Sequence, residues 1–285
     1  MTAPGGRGLR QVSGRGWERL AAGLTERDQA ILGDLAVLRL ATGRQLQRLH
    51  VPEGSPLTRS RRSRSVLQRL SDQGLLLRLD RQVGGVHAGS SGFTYGLSAA
   101  GQRLSSGRGP AGGSRLRRPW EPAPSFIDHL LLVSELYVRL REATWAREVE
   151  LLDFQTEPPC WRWWHGPSGE RLVLKPDAFV RLGLGDYEHL SFVEVDRSTE
   201  STTVLRRKAE TYVAYWHSGQ EQASSGLFPR SVWLVPDERR RAQLAGVLGR
   251  LDPEAWQLFQ VVRFDEALWA LTGRQPPGSE PASEG

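Results

Sequence analysis

The chain has 285 residues, of which 39% are hydrophobic and 25% charged. That is ordinary for a soluble globular protein and enough for two modest domains. One cysteine, Cys160, excludes an intramolecular disulfide framework and suits a reducing cytosol. No apolar run approaches a membrane span and Met1 to Arg10 lacks the apolar core of a signal peptide, so a cytoplasmic protein with no membrane partner is expected. The net charge of +6 is divided: through Arg118 there are 20 arginines against 7 acids, and from Pro119 onward 18 basic residues against 25 acids. A basic half of this kind suggests a polyanion as partner.

Residues 1–20 read as a flexible lead-in. Thr25-Glu-Arg-Asp28 opens a first helix in a pattern close to the capping box, with Ile31, Leu32, Leu35 and Leu38 as its apolar face. Thr42 caps a short second helix through Gln45, Leu46 and Leu49. A third runs from Leu57 to Ser71, with Val66, Leu67 and Leu70 inward, Arg59, Arg61, Arg62, Arg64 and Arg69 around it, and Gly74 as its stop. Leu75 to Asp80 and Phe93 to Leu97 read as strands joined by a glycine-rich loop, and Gly101 to Leu104 as a closing helical turn. Three helices followed by a two-stranded hairpin is the winged helix-turn-helix order, with the third helix entering the major groove of double-stranded DNA and the hairpin lying along the backbone. The expected DNA-binding domain is 21–104.

Residues 105–124, rich in Gly, Ser and Pro, read as a linker. A helix then begins at Ser125 and carries His129, a lone histidine given no role, and Glu135. Glu148 to Phe154 reads as a strand. The stretch Trp161, Arg162, Trp163, Trp164, His165 can stack on bases or cover the neighbouring hairpin, and cover is the expected role. Further on, Ser231 to Val235 is a strand, Asp237 to Leu251 a helix and Val261 to Phe264 a last strand. The second domain is expected over 125–272, with 273–285 a disordered tail.

The chemistry is expected between these, in residues 172–208. Leu172 to Arg181 and Ser191 to Asp196, separated by a Gly/Asp-rich turn, read as an antiparallel hairpin. Alternation puts Lys175 and Asp177 on one face of the first strand and Glu194 and Asp196 on one face of the second. Three converging carboxylates repel unless protonated or bridged by a cation, and a hard divalent ion is the usual bridge. Such a cluster points to a metal site for phosphate chemistry. A helix capped by Thr202 or Thr203 follows, with Val204, Leu205, Ala209, Tyr212, Tyr215 and Trp216 as its apolar arc and Lys208 inside that arc. An inward ammonium needs an anionic partner. Lys175 and Lys208 are also the only lysines among 38 basic residues, and both flank the acids.

This half, with the order helix, strand, strand with Pro176-Asp177, strand with Glu194-Val-Asp196, helix, strand, resembles the PD-(D/E)xK restriction-endonuclease-like core. Asp196 stands where that motif has Lys, and Lys208 stands on the next helix, where some members carry their lysine. Over residues 24–265 the chain resembles the replication-relaxation family of plasmids and mobile elements. The matching pieces are Leu24-Thr-Glu-Arg-Asp28, Gly92-Phe-Thr-Tyr-Gly-Leu-Ser98, His129, Lys175-Pro-Asp177, Phe192-Val-Glu-Val-Asp-Arg-Ser-Thr-Glu200, Lys208 and Tyr212. The expected fold class is therefore α+β / α/β, a winged helix-turn-helix domain followed by a PD-(D/E)xK-like domain.

The resemblance implies a role in plasmid replication or DNA relaxation. As a Mg²⁺-dependent DNA endonuclease or nickase, the protein would hold the ion on Asp177 and Glu194, support it with Asp196, and stabilise phosphate charge with Lys208; Glu135 is a weaker ligand candidate. The alternative is a non-catalytic regulator of replication or transcription whose nuclease-like domain binds replication or mobilisation proteins or a second copy of the chain. Asp196 in place of the motif lysine favours the regulator; the retained acids and an inward Lys208 favour the enzyme.

Overall fold

The computed structural model describes residues 14–79, 92–107 and 124–273. The expected linker, the glycine-rich loop and the tail lie mainly outside these residues. The chain forms two compact units, residues 1–134 and 135–285, and the boundary falls inside one long helix. The described part of the expected lead-in is not flexible chain. Gly14–Ala22 form helix α1, and its Leu20 packs against the buried cluster of the first unit.

In the first unit, α2 (Glu26–Leu38) starts at a complete Thr25/Asp28 capping box. Strand β1 (Leu40–Thr42) and α3 (Gly43–His50) follow, with a second capping box between Thr42 and Gln45. Helix α4 (Pro56–Asp72) is capped by Ser55 with Pro56 at its first position. Gly74 at φ +72° then turns the chain into β2 (Leu76–Leu79), a conformation that costs a residue with a Cβ more than glycine. Strand β3 (Thr94–Leu97) and α5 (Ala99–Ser105) complete the series. The three strands form an antiparallel sheet in the order β1-β3-β2. The short β1, three residues in a helix-rich context, was not expected from sequence.

The core of this unit joins Ile31, Leu32 and Leu35 of α2, Leu46 of α3, Leu67 and Leu70 of α4, and Leu75, Leu76, Tyr95 and Leu97. The N-terminal part of α6 (Pro124–Trp145) contributes Ile127, Leu130 and Leu131, packed with Leu40. Two buried bonds fix that packing: Gln45 Nε2 donates to Leu131 O at 3.0 Å and Ser134 Oγ to Leu40 O at 2.6 Å.

The second unit is built on a five-stranded sheet in the order β10-β9-β8-β7-β4. Its strands are β4 (Glu150–Thr156), β7 (Ala178–Leu184), β8 (Tyr187–Val195), β9 (Arg230–Val235) and β10 (Phe259–Arg263). β4, β7 and β8 run antiparallel as neighbours, while β9 and β10 add in parallel. The stretch read from sequence as one strand, Leu172 to Arg181, is broken at Lys175-Pro176-Asp177. Its first part is β6 (Arg171–Leu174), which pairs with β5 (Arg162–His165) in a separate ribbon. Proline has no N–H to donate to a ladder, and the break falls there.

One face of the sheet carries Phe179, Phe192 and Trp233. They pack with Trp164, Leu174, Leu205, Ala209, Tyr212, Tyr215, Leu244 and Leu248, drawn from the ribbon, from α7 (Thr202–His217) and from α9 (Glu238–Leu248). Two short helices, α8 (Gln220–Ser225) and α10 (Ala267–Thr272), were not read from the sequence. α10 contacts β7, β8 and β9.

Gly101 and Gly33 make opposite predictions for the first unit. A Cβ on Gly101 would stand 2.2 Å from the Leu75 carbonyl oxygen, whereas one on Gly33, exposed within α2, meets nothing within 4 Å. Gly101→Ala should destabilise by about 1–3 kcal/mol or more through overpacking. Gly33→Ala should stabilise by about 0.5–1 kcal/mol through helix propensity. Denaturant unfolding of the two variants checks both signs.

Candidate functional site

The β7–β8 hairpin sets the first two side chains. A two-residue turn, Gly185-Asp186, with Gly185 at φ +60°, fixes the register Leu184↔Tyr187 through Ala178↔Val193. Asp177 N donates to Val193 O at 3.0 Å, so the ladder continues one residue beyond the strand and brings Asp177 beside Glu194. Asp177 Oδ2 accepts from Val195 N at 2.7 Å, which orients its carboxylate. Phe179 and Phe192, two residues along from each acid, share this face and pack 5.7 Å apart, centroid to centroid.

Helix α7 supplies the other two. Its N-cap is Ser201, one residue before the expected threonines, and its buried arc begins at Leu205; Val204, expected to point inward, is 43% exposed. Lys208 and Tyr212, four residues apart, stand one above the other on the face that meets the sheet. Lys208 Nζ forms an ion pair with Glu194 Oε2, and Tyr212 OH donates to Glu194 Oε1 at 2.6 Å. The Glu194 side chain is 2% exposed but that of Lys208 keeps 27%, so solvent reaches the group from the lysine side.

Burial pushes the Glu194 carboxyl up to about 8, the Asp177 charge adds to the push, and Lys208 and Tyr212 oppose it. Burial acts to lower the Lys208 ammonium, but Glu194 and Asp177 outweigh it and hold the ammonium above its usual range. Tyr212 is pushed well up by burial and by Glu194, so it remains a proton donor to the carboxylate. The result is a carboxyl held above its ordinary range by burial, between a cation and a hydroxyl donor.

The other candidates lie elsewhere in the interactions. Asp196 does not form a three-carboxylate cluster. It is buried and gripped in bidentate fashion by Arg240 of α9, through Nε to Oδ2 and Nη2 to Oδ1. Arg240, also buried, donates further to Glu200 O at 2.9 Å and to Gln243 at 2.8 Å. Among the described residues no group of three or more His, Cys, Asp and Glu side chains is arranged to hold a metal ion. Glu135 pairs along its own helix with Arg139 at 3.5 Å. Lys175 is exposed and sits over the Trp161 ring at 4.5 Å rather than sharing a strand face with Asp177. Cys160 is fully buried beneath this loop and its Sγ donates to Pro176 O at 3.0 Å. Burial, with Glu157, Asp177 and Glu194, pushes its thiol far up, so it holds the Pro176-Asp177 turn and is no nucleophile.

The arginines of α4 divide likewise. Arg61, Arg62 and Arg64 are exposed. Arg59 reaches back to Pro52 O at 3.4 Å, and Arg69 Nη2 binds the buried Asp28 Oδ1 at 2.6 Å. Burial alone would raise the Asp28 carboxyl, but Arg69 and Thr25 hold it below its usual range. Arg69 is thus a structural partner of α2.

Tyr212 and Arg240 were the residues sequence reasoning did not assign to the acids. Tyr212 had a signal, being four residues after Lys208 on the same face. Arg240 had none: it is the middle one of Arg239-Arg240-Arg241, and helical spacing does not reveal which of the three turns inward.

A family model described as replication-relaxation matches residues 32–231, a span that includes Asp177, Glu194, Lys208 and Tyr212. No curated protein and no solved structure matches the chain.

Two predictions concern this network. Arg240→Met leaves Asp196 buried without its cation, and thermal or urea unfolding should report a loss of about 3–5 kcal/mol; an unchanged midpoint would contradict the buried pair. Lys208→Met removes the cation that opposes the shift at Glu194. A carboxyl raised on folding contributes stability that is full below its unfolded value and lost as pH rises through the folded one. The wild type should therefore weaken between about pH 4.5 and pH 8 from this group. In Lys208→Met the weakening should extend to higher pH, so the gap between the two proteins should widen from pH 6 to pH 9. Unfolding curves at both values check the sign.

Proposed function

The chain belongs to the replication-relaxation family, and on that premise we propose that it acts on DNA, its first unit binding the duplex and its second carrying a phosphoryl-transfer site at Asp177, Glu194 and Lys208. The first half of the proposal draws on the order α2, α3, α4, β2, β3, which agrees with a winged helix-turn-helix, and on the exposed Arg61, Arg62 and Arg64 of α4. The net charge of +13 through Arg118 supports the same reading.

The second half draws on the order α6, β4, β7, β8, α7, β9, which agrees with a restriction-endonuclease-like core. The observation that carries it is the Glu194–Lys208 pair beside Asp177, buried at the sheet yet open at the lysine. In this reading Lys208 Nζ neutralises charge on the scissile phosphate. Glu194 holds that lysine in place through its ion pair. Tyr212 fixes Glu194 Oε1 and leaves Oε2 to the lysine side. Mg²⁺ is commonly held by one or two carboxylates with phosphate and water completing its shell. Asp177 and Glu194 fit as such a pair, being adjacent in register and coupled in charge. When bound, the ion would polarise the phosphoryl oxygens and acidify water.

A second reading has support of its own. Both oxygens of Glu194 already have partners, and Asp196 is committed to Arg240. In that case the network is structural, and the protein is a non-catalytic regulator whose second unit binds replication or mobilisation proteins or a second copy of itself.

The two readings separate on plasmid DNA. Supercoiled and linear DNA incubated with Mg²⁺, Mn²⁺ or EDTA should show metal-dependent nicking or cleavage by the wild type and none by Asp177→Ala; no conversion under any condition would leave the regulator. Lys208→Met should lower turnover by about 100-fold or more. Duplex binding should weaken steeply with salt, and Arg61→Ala, Arg62→Ala and Arg64→Ala together should flatten that slope by about one unit per lost phosphate contact.

A further inference from the structure

The β5–β6 ribbon carries two different faces. Register pairs Arg162↔Leu174, Trp163↔Val173, Trp164↔Leu172 and His165↔Arg171. With alternation, Arg162, Trp164, Leu172 and Leu174 form one face and Trp163, His165, Arg171 and Val173 the other. The inner face is built into the core. Trp164 and Leu174 are buried, and Trp164 packs on Tyr215 at 4.9 Å between centroids. Arg162 binds the buried Glu221 at 3.2 Å. Together they fasten the ribbon in one position.

The outer face is arranged differently. Trp163 is 47% exposed, and Arg171 lies over its ring at 4.1 Å. Just beyond the strand ends, Lys175 lies over the half-buried Trp161, which also packs against the core, at 4.5 Å, and the two indoles meet edge-on at 6.4 Å. His165 is exposed beside Arg171. No carboxylate stands at an outer position of either strand. The nearby Glu170 instead accepts the Ser168 N–H at 3.0 Å in the turn. Two aromatic–cation pairs in a row on a rigid ribbon, with net positive charge, match the needs of an unpaired nucleotide strand. Bases stack on indole and guanidinium planes, and phosphates meet the cations. A duplex, whose bases are stacked on one another, offers such a face only its backbone. The ribbon also ends at Lys175-Pro176-Asp177, so a strand held there is led to the proposed site.

We propose that the outer face of the β5–β6 ribbon, Trp161, Trp163, Arg171 and Lys175, binds single-stranded DNA and delivers unpaired nucleotides to Asp177 and Glu194. This deepens the DNA-acting reading and rests on it. The test uses the full chain and a labelled oligo-dT strand, with a labelled duplex as reference, followed by fluorescence anisotropy. Trp163→Ala and Arg171→Ala should each weaken oligo-dT binding by roughly 10-fold, within the range a lost base–aromatic stack carries. Trp163→Phe should restore most of it, and duplex affinity should not change. Both side chains are exposed, and an unchanged melting curve will show that folding is intact. Equal oligo-dT affinity in wild type and Trp163→Ala would overturn the proposal. So would a change in self-association by light scattering with strand binding unaltered, which would mark the face as a protein contact. Intact plasmid cleavage with unaltered oligo-dT binding would remove this inference alone, whereas loss of all DNA binding in the wild type would remove the DNA-acting reading itself.

Discussion

The second unit depends on how one buried carboxyl is compensated. Glu194 sits in a central strand of the sheet, 2% exposed, where an unpaired charge would be prohibitive. Two side chains of α7 answer it, the Lys208 ammonium and, one turn further along, the Tyr212 hydroxyl, while the neighbouring Asp177, held by a backbone amide, works against it. The acids come from the hairpin and the Pro176 break and their two partners from α7, so hairpin register, helix phase and the break must all be correct together. A one-residue slip in β8 would send Glu194 to the opposite face, and an altered phase of α7 would carry Lys208 and Tyr212 away from it.

The same logic separates the acids. Asp196 is two residues from Glu194, but it lies past the end of β8, where α9 begins its packing. Arg240 meets it with Nε and Nη2 and donates further to Glu200 O and Gln243. Asp196 is therefore a fastening between the end of the central strand β8 and α9, and the proposed site contracts to Asp177, Glu194 and Lys208. Removing either partner of a buried pair of this kind is far more costly than replacing both with apolar groups. Two further buried acids, Asp28 and Glu221, are held by arginines that keep part of their surface in solvent, Arg69 and Arg162. A chain that uses arginine almost throughout assigns part of that arginine to holding buried acids.

Much of this was legible before any coordinates. The capping pattern at Thr25, the cap at Thr42, the stop at Gly74 and the hairpin turn near Gly185 are local signals, and each marked its element. The inward phase of Lys208 followed from the apolar arc around it. What remained hidden was non-local. Strand β1 is three residues long and exists through its pairing with β3. The division of Leu172 to Arg181 into two strands depends on β5 as a partner, which only the folded chain supplies. Arginines expected to face DNA could not be told from those bound to acids, because Arg69 meets Asp28 across 41 residues. The three-carboxylate cluster failed for the same reason, since Arg240 lies 44 residues from Asp196.

The central claim is that Glu194 is a carboxyl raised by burial and held between Lys208, Tyr212 and Asp177. Its most direct measurement is a carbon-detected NMR titration of the glutamate side-chain carboxyls, with Glu194 assigned by its disappearance in Glu194→Gln. One glutamate should titrate far above the rest, with a midpoint of about 8, and that midpoint should rise in Lys208→Met. A Glu194 that titrates with the other carboxyls, near the ordinary value of about 4.3, would contradict the account.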